Sequence, residues 1–401
     1  MYMRERLHFL LLNVGHFLDH LFTLIFATVA ALALHREWGL GYADLLKFAT
    51  PGFLAFGLFA LPAGWIADKW NRDGMMSVFF IGIGFASITT AFARTPLEIA
   101  IGLFVIGVFA AIYHPVGLAI VVEKWKNTGM RIAVNGVWGN LGVASAALIT
   151  GYFIDHGGWR MAFVVPGVAS ILVGVAYTAL RWDAIVNPPP RAVKGADRKR
   201  VSPDFKALLM RVSAIVFLTT AVSSIVFQST TFALPKVFDE RLVSIAPSAT
   251  AIGQLAFLVF ALASVGQLIV GHFLDKLGPR TVFVTAAGIQ MVFFAIMPGL
   301  VGWPALLCAM VFMLAAFGQI PINDYMIGRM AEGEYRARIY GVRYVVSFTV
   351  LALALPLIAF IYERWGFDAL FRVLSVSAAV ILGAVLMLPR RLPEASAPAR
   401  A

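Results

Sequence analysis

The chain reads as a succession of long apolar runs separated by short polar breaks. Each run approaches or exceeds the roughly 20 residues that an α-helix needs to cross about 30 Å of hydrocarbon. Twelve are read, at 8–34, 48–67, 74–93, 97–122, 130–154, 160–181, 211–235, 250–274, 280–300, 303–328, 337–362 and 367–389. Strands of a membrane barrel would instead alternate over about ten residues. An all-α membrane protein with twelve transmembrane helices is therefore predicted. The longest polar stretch, Trp182 to Met210, holds Pro188, Pro189, Pro190 and the run Arg198, Lys199, Arg200. It divides the chain into a six-helix bundle at 1–181, a linker at 182–210 and a second six-helix bundle at 211–401.

Composition supports that reading. Hydrophobic residues make up 60% of the 401 positions and charged residues 13%, against roughly 45–50% and 25% in a soluble domain. With a mean hydropathy of +0.85, the outer surface must meet lipid rather than water. The first run starts with Arg4 and Arg6, as a signal peptide would. Its apolar stretch is too long for a signal core and contains Asp19 with two histidines, so it is expected to remain as the first helix.

The net charge of +11 raises the question of a nucleic-acid partner, and its distribution answers it. Of 32 Lys and Arg, 23 fall on the side that bears the N-terminus, the linker and the C-terminus, seven fall on the other, and Arg343 and Arg372 lie inside helices. Basic residues flank cytoplasmic ends of membrane helices, so both termini are expected in the cytoplasm, with the protein in the cell's inner (plasma) membrane and no nucleic acid bound. The single Cys308 supplies neither a disulfide nor a thiolate cluster. A phosphate-binding Gly-Lys-Ser/Thr loop is lacking, so no nucleotide drives the protein, and no cofactor is expected.

The two halves repeat. Gly64-Trp-Ile-Ala-Asp68-Lys69-Trp-Asn-Arg72 follows the second run, and Gly271-His-Phe-Leu-Asp275-Lys276-Leu-Gly278-Pro-Arg280 follows the eighth, about 207 residues later. Pro115 and Pro321, and Arg131 and Arg336, match at nearly the same offset. Duplicated six-helix units are the construction of many secondary transporters. In this doubled loop signature and its twelve-run layout the chain resembles the major facilitator superfamily over its whole length. Gly15-His16-Phe-Leu-Asp19-His20 and Tyr113-His114-Pro115 are similar to the His-containing segments of its fosmidomycin-resistance-like branch.

The resemblance implies two six-helix bundles around a central cavity and a gating role for the loop charges. Asp68 would meet the start of helix eleven near Arg336 and Arg338, and Asp275 the start of helix five near Arg131, each latching the outward-facing state. Arg72 and Arg280 belong to the same signatures. A carboxylate beside a helix N-terminus is favoured by the exposed N–H groups.

Polar residues at membrane depth are costly, and the few present point to function. Asn13, His16 and His20 lie along one stripe of helix one, with Asp19 three residues after His16. Asp19 paired with His16 or His20 is the predicted proton-coupling site. Pro115 frees a carbonyl four residues earlier, so a kink beside Tyr113 and His114 is expected. The predicted cavity-lining set is Asn13, Tyr113, His114, Asn140, Gln228, Asn323 and Arg343. Asp324, near the cytoplasmic end of helix ten, is assigned to gating with Arg329 as partner, whereas Arg343 serves either the cavity or a latch. Glycines at 136, 139, 142 and 151 allow helix five to approach a neighbour closely. The Gly-Pro signature common in the superfamily's exporters is absent, since Val143 and Ala144 follow Gly142, and helix four lacks a buried Arg. His16 with His20, and Met326 with Met330, offer metal ligands. With no Cys partner and few Met, no metal site is assigned.

The function expected is secondary active transport of a small organic solute by a monomer in the lipid bilayer, coupled to protons, with efflux by antiport favoured. The alternatives are a proton symporter importing an organic anion and, in another class, a membrane sensor or assembly factor on the same fold. A polar segment under about thirty residues favours transport over the last.

Overall fold

The computed structural model describes residues 2–125, 128–188, 203–330 and 333–389, with side chains described at 3–125, 130–188, 210–323, 325–326 and 346–389. It is helical wherever it is regular, as a chain without water to satisfy its backbone must be. The helices are α1 (Tyr2–Val29), α2 (Tyr42–Lys69), α3 (Arg72–Thr90), α4 in two pieces (Pro96–Ala110 and Tyr113–Lys124), α5 (Thr128–His156) and α6 (Trp159–Val186), then α7 (Pro203–Arg241), α8 (Ala249–Leu277), α9 (Pro279–Ile296) and α10 (Gly302–Met330). The last run, Gly333–Leu386, bends at Gly366 with φ 71°. The part of it with described side chains, Val346–Leu386, is apolar and 41 residues long, which at 1.5 Å per residue is about twice the hydrocarbon thickness. Gly366 therefore separates two crossings, α11 before it and α12 after it.

Local chemistry sets the ends. Asn71 caps α3 by accepting from the Gly74 N–H at 2.8 Å. Thr95 caps α4, with Pro96 in its first turn and Glu98 reaching back to the Arg94 N–H, the reciprocal arrangement of a capping box. Past α1 the chain passes through a π-turn, Ala30–Leu34, before His35–Glu37. Because α6 runs to Val186 and α7 begins at Pro203, helix enters the predicted linker from both sides. Amphipathic turns beyond the hydrocarbon belong to a helix without adding to its apolar run.

Packing repeats between the halves. In the first, α1 pairs with α5, α2 with α4 and α3 with α6; in the second, α7 pairs with the last run, α8 with α10 and α9 with the last run. The halves meet along α5 against α8 and α2 against the last run. Small residues permit the first contact: a Cβ on Gly151 would overlap the Ala249 carbonyl, and one on Gly253 the Ala147 carbonyl.

These contacts occupy the middle of the molecule and the end away from the N-terminus. There Asp155 accepts from the Thr250 N–H and hydroxyl at 2.7 and 2.6 Å, Arg36 lies 3.7 Å from Asp239, and Tyr42 packs edge-on against Tyr362. Phe56 stacks edge-on against Phe348 near mid-depth. At the N-terminal end no ion pair or hydrogen bond joins the halves among the described residues. Among the described residues the halves are thus bridged, and in that sense closed, at one end and unbridged, or open, at the other.

Candidate functional site

The break in α4 positions the site. Pro115 has no N–H to give the Ala111 carbonyl, and the helix is interrupted between Ala110 and Tyr113, as the sequence predicts. The interruption turns Tyr113 and His114 toward α1. His114 then meets His16 and His20, whose rings lie 5.2 and 5.4 Å away centre to centre, both edge-on. The His16 and His20 rings are 5.0 Å apart. Three imidazoles from two helices thereby form one layer.

Behind that layer stands a scaffold of hydrogen bonds. His16 Nδ1 donates to the Asn135 carbonyl at 2.8 Å. Asn135 Nδ2 donates to Asn13 Oδ1 at 2.9 Å and to the Tyr113 hydroxyl at 2.8 Å, and that hydroxyl donates to the Leu12 carbonyl at 2.8 Å. The Tyr113 ring stacks on His16 at 4.8 Å. A carbonyl only accepts, so Nδ1 of His16 carries a hydrogen and Nε2 of the neutral ring holds a bare lone pair. Nε2 is buried and has no hydrogen-bond partner. Gly139 makes room for it: a Cβ there would sit 2.6 Å from Nε2.

Asp19 is fully buried at 0% exposure. Its Oδ2 lies 3.5 Å from His114 Nε2, and neither carboxylate oxygen has a hydrogen bond. The partner expected on helix one is therefore replaced by His114 of helix four. His16 is turned away by its bond to Asn135, while the α4 break carries His114 to the carboxylate. His114 is 17% exposed and His20 is also partly exposed, so the layer can be reached although Asp19 cannot.

Of the predicted cavity set, Asn13 and Tyr113 are buried, with Asn13 Oδ1 and the Tyr113 hydroxyl committed to the scaffold that supports His16. Asn140 and Gln228 are buried, each with an unpartnered side-chain nitrogen. Asn323 accepts from Thr219 at 3.2 Å. It belongs to a neutral ladder in the second half, where Ser223 donates to Gln319 at 2.9 Å and Gln319 to Gln290 at 2.7 Å. The side chains of Asp324, Arg329, Arg336, Arg338 and Arg343 lie outside the described residues.

The Major Facilitator Superfamily model matches residues 12–247 and 242–401. The chain belongs to the major facilitator superfamily. It is similar to a gallate transporter of Pseudomonas putida, 25% identical over 154 residues, which are 38% of this chain and 33% of that one. It is also similar to the niacin transporter NiaP of Acinetobacter baylyi, 28% identical over 176 residues, 42% of this chain and 40% of that one. Each alignment thus spans between a third and two fifths of its relative's length. A bacterial homologue of the human lysosomal transporter Spinster, solved inward-facing and unoccupied, has the same fold, with a TM-score of 0.75 at 16% identity over 97% of this chain and 99% of that one. This facilitator is a multi-pass membrane protein.

The facilitator's loop signatures are exposed at the parted end. Asp68, 59% exposed, pairs with Arg72 at 2.9 Å, and Arg72 also pairs with Glu123. Asp275 is exposed and has no ion pair among the described residues. Arg131 lies over the rings of Phe9 and Trp125 at 4.5 and 5.0 Å, and Arg280 donates to the Leu386 carbonyl at 2.8 Å. The expected Asp275 to Arg131 contact is not formed: Arg131 lies instead over Phe9 and Trp125.

Sequence reasoning missed three features. Asn135, which organises the scaffold, is one polar residue in a glycine-rich stretch that drew attention to its glycines. Asp155 performs at the closed end the physical task assigned to Asp68 and Asp275, a carboxylate at the other half's helix N-terminus. A third feature is a satisfied ionic cluster at the open end, where Asp73 accepts from Arg181 at 2.9 and 2.8 Å and from Tyr177 at 2.7 Å, with His8 at 3.4 Å.

Proposed function

We propose that this facilitator exchanges a small organic solute for protons by alternating access, with Asp19 and His114 as the proton-carrying pair and His16 and His20 completing the site. The observation that carries the reading is the Asp19 carboxylate, fully buried and without a hydrogen bond, beside a partly exposed imidazole. A bare charge at that depth is costly. One proton shared with His114 compensates it, and protons reach the pair through the exposed edge of His114. A solute against the same edge, beside the rings of Phe56 and Phe348 that also meet His114, competes with proton entry. Competition for one face produces exchange, hence export against an inward proton gradient. The likeness of the His-containing segments to the fosmidomycin-resistance-like branch supports that direction.

With both termini and the linker cytoplasmic, the end without bridges faces the cytoplasm, which supports an inward-open reading. Asp68 and Asp275 then engage the opposite half only when that end closes, with Asp324, Arg131, Arg336 and Arg338 as the other gating groups. The sequence division at 1–181 and 211–401 corresponds to the moving bundles, and the active unit is a monomer.

Importing symport of a small organic anion is the second reading, favoured by the gallate and niacin transporters among the relatives. Proteoliposomes carrying a pH-sensitive dye separate the two. With an inward solute gradient, exchange drives protons out of the lumen, whereas symport alkalinises the outside. Solute uptake with no proton movement in either direction would sink both, and unimpaired coupling in Asp19→Asn would overturn the site.

A further inference from the structure

We infer that His16, His20 and His114 form a binding site for a divalent transition-metal ion of the zinc class, which arrests the transporter when occupied. The donor atoms of the three imidazoles lie within 4.8 Å of one another. Across a tetrahedral zinc with bonds of about 2.0–2.1 Å, nitrogens stand about 3.3 Å apart. Small rotations of His20 and His114, both partly exposed, close that difference, while His16 stays fixed by its scaffold.

Proximity alone does not make the site. His16 is held as metal-ligating imidazoles are held: one ring nitrogen donates to a backbone carbonyl, and the other is buried with its lone pair unused. A carboxylate beside a ligating imidazole is the other common supporting group, and Asp19 stands 3.5 Å from His114 with both oxygens otherwise unpartnered. It supplies negative charge to a dication at a depth where no other acidic side chain is buried among the described residues. Three neutral nitrogen donors select zinc, cobalt or nickel over calcium and magnesium, which take oxygen ligands.

The sequence shows only half of this arrangement, His16 and His20 one helical turn apart. The third imidazole comes from helix four, and the Pro115 break delivers it. Bound metal would tie α1 to the lower piece of α4 and occupy the face that solute and protons use. Binding stands on geometry alone, whereas the arrest rests on the function proposed for the cluster.

The test uses the full-length protein in detergent, stripped with a chelator. Titration calorimetry with Zn2+ and absorption with Co2+ should give one ion per chain and the intense visible bands of tetrahedral cobalt. His20→Gln and His114→Gln are each expected to weaken binding by about 100-fold, and Asp19→Asn by about 10- to 100-fold, as supporting groups do. Gel filtration and thermal melting establish that each variant is folded. Mg2+ and Ca2+ should leave the signal unchanged. Less than one ion per chain in the parent protein, or parental affinity in both His variants, would overturn the site. Saturating Zn2+ should arrest transport in proteoliposomes; full transport with the ion bound would instead refute the coupling role and leave the metal site standing.

Discussion

The two halves share one packing scheme and differ in what they place at its centre. In the first, the unpartnered atoms at the core include those of ionisable groups, Asp19 and Nε2 of His16, beside neutral ones such as Asn140 Nδ2. Among the described residues of the second, the equivalent region holds amides and hydroxyls, with Ser223, Gln319 and Gln290 bonded in series, and its unpartnered atoms, such as Gln228 Nε2 and Ser229 Oγ, are neutral. Duplication preserves a backbone more readily than a side-chain inventory. On the function proposed above, one half specialises in protons while the other presents neutral hydrogen-bonding groups, because alternating access needs symmetry of movement and not of chemistry.

That contrast can be broken most directly at its charged end. Asp19→Asn should abolish solute-driven proton movement, a fall of about 100-fold in the dye assay, whereas Gln319→Ala should leave the proton stoichiometry intact. If Gln319→Ala uncoupled transport as thoroughly, the division of labour would be wrong.

Packing gives the next test. Gly139→Val places carbon against His16 Nε2, within 2.6 Å, and overpacking of this kind costs about 1–3 kcal/mol. The unfolding midpoint should drop by several degrees and Zn2+ binding should weaken with it. Gly288→Ala on α9 meets nothing within 4 Å and should hold or raise stability by up to about 1 kcal/mol. Equal melting temperatures for the two variants would contradict the close fit around His16.

In the second half, Gln319→Ala strands Ser223 and Gln290, at about 1–3 kcal/mol for a buried group left unpaired. A thermal melt reads the loss, and Ser223→Ala in the same background should restore part of it. A double variant that loses as much as the sum of the two single ones would dissolve the ladder.

The smallest effect belongs to the closed end. Asp155→Ala removes an exposed carboxylate from the N-terminus of α8, at about 1 kcal/mol, or about fivefold in a conformational equilibrium. Spin labels at positions 69 and 276 should report a larger share of molecules with the N-terminal ends together. An unchanged distribution would mean that the other contacts at this end, such as Arg36 with Asp239 and Tyr42 with Tyr362, hold it shut without Asp155.

Much of the fold was legible because the membrane leaves a chain few options. Apolar runs marked the crossings, although α2 begins at Tyr42 and α7 at Pro203, ahead of the runs at 48–67 and 211–235. The α4 break was legible too, since Pro115 cannot donate. What could not be read was direction around each helix. Spacing placed Asp19 beside His16 and His20 on one helix, and only the tertiary bond from His16 to Asn135 shows why His114 is the nearer partner. Gate residues were hidden for a different reason: a carboxylate such as Asp155 looks the same in a sequence whether it faces water or another helix.

One contact described only by its sequence motif has a mechanical meaning. A Cβ on Gly64 would lie 3.3 Å from Cβ of Pro115, so the glycine that opens the loop signature rests on the residue that breaks α4. Asp68 is one helical turn further along α2. Any displacement of that turn would press on the α4 joint, next to His114. In the second half, a Cβ on Gly271 would meet nothing within 4 Å, so the matching turn of α8 has no such brace at its glycine.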